Sequence, residues 1–211
     1  MATRTEIRSS KLLLVEGADA YYFFISAYQA FGANGVQVMD FGGINQLTKF
    51  LKTLSLLPGY EKVNAIVVVR DAEGDPISAV DSVKHSLKQA SLEVPIGSFQ
   101  FAGNSPRVAF MILPGFGAND NAKQSLLSGT LEDLCLKILK DNSTLPCVDS
   151  YIQCLRDNGI EINRLHKARL HSYLSGRNEF VGLKIGEASK AGAWDWNHKR
   201  LQSFKDVITA M

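Results

Sequence analysis

The sequence is poor in the features that mark several large protein classes. Three cysteines, Cys135, Cys147 and Cys154, stand in 211 residues. Their number is odd and they form no CxxC pair or metal spacing, which excludes a disulfide framework and leaves reduced thiols used for packing. His85, His166, His171 and His198 show neither HxH nor HExxH spacing, so no zinc centre is expected. No GxxxxGK[ST] phosphate loop occurs, and Gly42-Gly43 is too weak to replace one, so ATP hydrolysis would fall to an ATPase partner. No apolar run reaches the roughly 20 residues that span a bilayer, and no membrane association is expected. Met1–Ser10 is polar and Lys11–Val15 is too short for the apolar core of a secretory signal, so a cytoplasmic location is expected. Internal repeats and low-complexity tracts are lacking as well.

What is present describes an ordinary globular chain, 45% hydrophobic and 21% charged, long enough to bury a full core. The net charge of +2 hides an asymmetry. Residues 160–211 carry nine Lys/Arg against five Asp/Glu, net +4, whereas residues 1–159 carry fourteen against sixteen, net −2. Such a division fits a solvated helical face, and it also fits an acidic centre that meets a polyanion.

The central stretch is Val63–Asp75, VNAIVVVRDAEGD. Ile66, Val67, Val68 and Val69 are β-branched and too few for a buried helix, so they read as an interior parallel strand covered on both faces. The run ends in Asp71, Glu73 and Asp75, and Gly74-Asp75-Pro76 turns the chain into a helix. Lys11–Gly17, KLLLVEG, repeats the arrangement with Glu16. Ligands of open α/β sheets gather beyond the carboxyl ends of the strands. If the two strands are adjacent, Glu16, Asp71 and Glu73 converge there, and clustered carboxylates suit a hard cation such as Mg²⁺ or Mn²⁺.

Around these runs, strands and helices alternate. Ala18–Phe31 reads as a helix and Val36–Phe41 as a strand. Ile44, Leu47, Leu51 and Leu54 recur at helical spacing before Pro58-Gly59, and Ile77–Ala90 reads as a further helix. Ser91–Arg107 reads as a short strand inside loops, and Val108–Leu113 as a buried strand. Gly115–Ser128 is a polar loop, beyond which Leu131–Lys140, capped by Thr130, then Leu145–Asn158, Arg164–Ser175 and Leu201–Met211 read as helices. The expected fold is α/β, a mostly parallel, Rossmann-like sheet flanked by helices over residues 1–115, with a helical half, 116–211, packed on it in one compact unit.

LLLVEG at 12–17 and VVVRDAEGD at 67–75, joined by two strand–helix steps, resemble a Toprim domain. That fold is shared by type IA and type II topoisomerases, DnaG-type primases, RecR proteins, ribosomal-RNA maturases and OLD-type nucleases. The resemblance covers roughly residues 10–115. Gly129-Thr130-Leu131-Glu132-Asp133-Leu134 and Lys167-Ala168-Arg169-Leu170 resemble bacterial Toprim-like proteins related to the OLD nucleases, which would extend the match over most of the chain.

The resemblance implies that Glu16 is the family's glutamate at the end of the first strand, with Gly17 as its turn glycine. Asp71 matches the first acid of the family's DxD, and Glu73 stands where the second aspartate is expected, a departure that Asp75 would compensate. Asp19 lies where some members place a further acid. Metal-assisted phosphodiester cleavage is the implied chemistry, with Asp71, Glu73, Asp75, Glu16 and Glu132 as candidate metal ligands, Glu16 as general base and Lys167 as the cation facing phosphate. DNA or RNA is the implied partner, and self-association as a homodimer is a further expectation.

Each assignment has a plainer competitor. The Asp71–Asp75 acids suit a solvated turn, Glu132 and Asp133 suit a helix N-terminus, and Lys167 suits the surface. Trp194 and Trp196 suit either base stacking or core packing. A non-catalytic module binding nucleic acid or a protein partner is the alternative function. A phosphatase using Asp71 as nucleophile fits less well, because Asp71-Ala72-Glu73-Gly74-Asp75 does not supply the DxDx[TV] signature.

Overall fold

The computed structural model describes residues 6–117 and 125–211, without the Ile44 side chain. Part of the Gly115–Ser128 loop, 118–124, lies outside the described residues. Four strands make one sheet: β1 (Lys11–Val15), β2 (Val36–Asp40), β3 (Ala65–Asp71) and β4 (Arg107–Leu113). They run parallel in the order β2-β1-β3-β4. Leu13 sits opposite Val67 across the β1–β3 pair, and Asp71 opposite Leu113 across β3–β4.

Alternation along the strands divides the core in two. Leu13, Val15, Val67, Val69, Ala109 and Met111 face one layer, and Leu12, Leu14, Ile66, Val68, Phe110 and Ile112 face the other. Both sets are buried, which is why these strands read as continuous apolar runs instead of alternating ones. The second face is covered by α2 (Leu47–Leu54) and α3 (Pro76–Gln89), through Leu47, Leu51, Leu54, Ala79, Val83 and Leu87. The first is covered by α1 (Gly17–Ala30) with α4 (Leu131–Ile138), α5 (Leu145–Asp157), α6 (Leu165–Ser175), α7 (Ile185–Lys190) and α8 (Gln202–Thr209). The later helices therefore share one apolar cluster with the sheet.

Several elements differ from the sequence reading. Ser91–Arg107 holds no strand beyond the first residue of β4, only an isolated bridge from Ala102 to Val108. Helix α7 follows a run too short to show helical periodicity; Ile185 and Ala188 are buried. Trp194 is buried with its indole N–H donating to Ser189 Oγ at 2.7 Å, and the Trp196 ring packs 5.1 Å from Phe23, so core packing is what occupies both. Cys135 is buried, but Cys147 and Cys154 are exposed. They lie seven residues apart on the side of α5 away from Leu145, Val148 and Ile152. Among the described residues no helix is long and apolar enough to cross a membrane.

Candidate active site

Hydrogen-bonded neighbours in a parallel sheet end on the same side, so the chain leaving β1 and the chain leaving β3 emerge together. Glu16 follows Val15 in the N-cap position of α1, and Gly17 takes φ +83°, where a side chain would be strained. The Gly17 N–H donates to Asp40 Oδ1 at 2.8 Å, which ties this turn to the end of β2. Asp71 closes β3.

The other wall comes from residues distant in sequence. After Asp71 the backbone of Glu73 adopts φ +53° and pairs with Gly129 in both directions, its N–H donating at 2.9 Å and its carbonyl accepting at 2.7 Å. That antiparallel bridge lays Thr130-Leu131-Glu132 beside the strand end, where the Leu131 N–H donates to Asp71 Oδ1 at 3.0 Å. A Cβ at Gly129, φ +131°, would meet Asp133 Oδ2 at 2.7 Å. Asp133 in turn accepts from the Thr130 backbone N–H at 2.9 Å, capping α4.

Glu132 is 5% exposed, and its carboxylate is held at both oxygens. Lys167 Nζ on α6 donates to Oε1 at 2.7 Å, and Thr130 Oγ1 donates to Oε2 at 2.7 Å. Burial alone would raise its proton affinity, yet these two bonds hold the Glu132 carboxyl below its usual range. The same contact raises the Lys167 ammonium above the lysine norm.

Glu16, Asp19, Asp71, Glu132 and Lys167 thus line one cleft of about 190 Å³, with Gly17 and Leu131 among its walls. Larger clefts occur beside Phe99 and Phe116, about 370 Å³, and between α5 and α6, about 630 Å³, but neither gathers more than one carboxylate. Burial, followed by the charges of Glu132, Glu16 and Glu73, pushes Asp71 up to about 7. The Arg70 guanidinium donates to the Ala79 carbonyl at 3.0 Å and feels the charges of Glu16, Glu73 and Asp71.

Two expected ligands stand apart from the cleft walls. Glu73 is exposed and adds its charge to the field on Asp71. Asp75 is exposed and its carboxylate caps α3, accepting from the Ile77 N–H at 2.9 Å and from Ser78 Oγ at 2.6 Å. Those bonds hold it below the usual carboxylate range. Among the described residues no group of three or more His, Cys, Asp or Glu side chains is arranged to hold a metal ion.

A family model described as a protein of unknown function matches residues 10–211. The chain belongs to the DUF3226 family. No curated protein matches this DUF3226 chain. Two solved structures of the C-terminal region of the Xanthomonas campestris pv. campestris OLD protein are similar to it, one phased with iodine and one with mercury. They are 15% and 14% identical, with TM-scores of 0.48 and 0.47, each match covering 97% of this chain and 96% of the other. A likeness that remote says nothing about chemistry.

The role of Glu132 was only half legible in sequence. Thr130 and Asp133 have the spacing of a capping box, which accounts for Asp133 and leaves Glu132 as a charge in the apolar helix LEDLCLKI. A charge in that position demands a partner, and α6 supplies it.

Proposed function

We propose that the cleft is a divalent-cation-dependent phosphodiester-cleaving site, making the protein a nuclease or nicking enzyme for DNA or RNA. One observation carries the reading: β1 and β3 are direct neighbours, so Glu16 and Asp71 enter one cleft, opposite Glu132 and Lys167.

The donor set suits a hard cation. Its carboxylates offer only oxygen, and the mutual repulsion of Asp71, Glu16 and Glu132 is what a cation would relieve. Mg²⁺ commonly binds through one or two carboxylates together with substrate phosphate, not in an all-protein cage, so the lack of a three-ligand group is compatible with it. Asp71 and Glu16 would hold Mg²⁺ or Mn²⁺, which when bound supplies Lewis acidity at a non-bridging phosphate oxygen. Glu73 acts through its charge on Asp71, and Asp75 caps α3.

The remaining chemistry belongs to the chain. Glu16, as an alternative to holding the cation, would accept a proton from the attacking water. Lys167, 43% exposed at its side chain, presents its ammonium to the cleft and faces the negative charge that grows on phosphate. Helices α1 and α4 both begin at the cleft, and helix N-termini favour anions. The basic excess of residues 160–211 draws a polyanion toward the same side of the sheet as α6.

The test is cleavage of supercoiled plasmid, single-stranded DNA and RNA with Mg²⁺ or Mn²⁺. Wild-type protein should cut at least one of them and Asp71→Ala should lose about a hundredfold or more. Equal inertness of the two removes the reading. One observation favours an alternative, a module that binds nucleic acid or a protein partner without cleaving: Glu132 is already held at both carboxylate oxygens, by Lys167 and Thr130. Titration calorimetry separates them: uptake of Mn²⁺ that disappears in Asp71→Asn supports the nuclease, and oligonucleotide binding with no metal uptake supports the module.

A further inference from the structure

We propose that Tyr22 is a stacking platform for an unpaired nucleobase beside the phosphate in the cleft, so that the preferred substrate is single-stranded. The inference rests on the phosphodiester reading above and names its substrate class. Tyr22 lies on α1, whose first residues form the cleft wall. At roughly 100° per residue its azimuth falls between those of Ala18 and Asp19, both of which line the cleft. Helical side chains lean toward the N-terminus, so the Tyr22 side chain is directed toward the turn that holds Ala18 and Asp19.

Two neighbours, Gly186 and Tyr21, fix this ring without burying it. Gly186 donates its N–H to Asp19 Oδ1 at 3.4 Å, and a Cβ on Gly186 would lie 2.5 Å from the Tyr22 Cβ. One glycine of α7 therefore braces the cleft carboxylate and the root of the tyrosine together. The Tyr21 ring meets the Tyr22 ring edge-on, centroids 5.1 Å apart at 87°. Tyr22 is nonetheless 53% exposed, an anchored aromatic surface one helical turn from the acids. Exposed Arg164 lies near enough to Lys167, which lines the cleft, for its charge to be felt there, a position suited to the neighbouring phosphate. An anchored aromatic together with cations along the phosphate path is the combination that single-strand binders use, because every base offers a π-face to stack on. In an intact duplex those faces are already stacked on their neighbours.

Tyr22→Ala keeps the Cβ beside Gly186 but removes the ring edge that also lies against it, so Tyr22→Leu, which fills that edge without offering a π-face, serves as the packing control and should be as impaired as Tyr22→Ala. With single-stranded oligonucleotides Tyr22→Ala should raise KM about tenfold at nearly constant kcat, while Tyr22→Phe and Tyr22→Trp keep wild-type values. An abasic nucleotide next to the cleaved bond should raise the wild-type KM similarly and add nothing further in Tyr22→Ala. The indole introduced by Tyr22→Trp should be quenched on binding a normal oligonucleotide and not an abasic one. An unchanged KM in Tyr22→Ala, or Tyr22→Phe as impaired as Tyr22→Ala, overturns the stacking role while leaving cleavage in place. A wild-type protein that neither binds nor cuts any oligonucleotide removes the underlying reading as well.

Discussion

Burial and the charges of Glu132, Glu16 and Glu73 make ionised Asp71 costly, since the group titrates at about 7 instead of 3.8. Its folded proton affinity exceeds the unfolded one, so the stability it contributes is complete below pH 3.8 and is lost as pH rises through 7. Each tenfold change in proton affinity is worth about 1.4 kcal/mol, which sets a ceiling of ~4 kcal/mol on the cost above pH 7. Asp71→Asn keeps an oxygen to accept from Leu131 and carries no charge. In metal-free solution it should therefore be more stable than wild type by about 1–3 kcal/mol at pH 8 and nearly equal at pH 4, as read by urea unfolding. A gain that is the same at both pH values would show that charge is not the cause. At this scale Glu16 and Asp71 were legible because each ends an apolar run, whereas the pairing of Glu132 with Lys167 depends on a backbone bridge that no local pattern announces.

That bridge belongs to the scale of elements. The end of strand β3 and the start of helix α4 are tied by the two hydrogen bonds that Glu73 and Gly129 exchange and by the Leu131 bond to Asp71, and Gly129 holds a backbone conformation that crowds any Cβ against Asp133. Gly129→Ala should cost about 2 kcal/mol or more in stability and reduce cleavage, because Leu131 and Glu132 lose their register against Asp71. Asp75 provides the contrast. Its carboxylate is occupied at the start of α3, so Asp75→Ser, which can still cap, should retain both cleavage and melting temperature, while Asp75→Ala lowers the melting temperature and leaves cleavage unchanged. Loss of cleavage in both Asp75 variants would return Asp75 to the metal site. The strands and most helices were legible because burial on two faces and helical spacing leave strong patterns; α7 was not, since six residues span less than two turns.

Across the whole molecule, two layers of helices hold four strand ends in place, and the acids gather where the sheet stops. The α1–α4–α6 side of this arrangement brings its carboxylates together at a cost that a cation would offset, so folding and metal uptake should be linked. At pH 8, where Asp71 is ionised, a saturating cation at about 100 times its Kd should add ~2.7 kcal/mol to stability. For a chain of 211 residues that corresponds to a rise of about 5–10 °C in Tm. At pH 5, Asp71 keeps its proton and competes with the ion, so the rise should be much smaller. Thermal unfolding with Mg²⁺, Mn²⁺ and EDTA at the two pH values measures this directly. The expected pattern is a rise at pH 8 that disappears in Asp71→Asn and survives in Asp75→Ser. A rise equal at both pH values, or one that persists in Asp71→Asn, would place the bound cation somewhere other than the ends of β1 and β3.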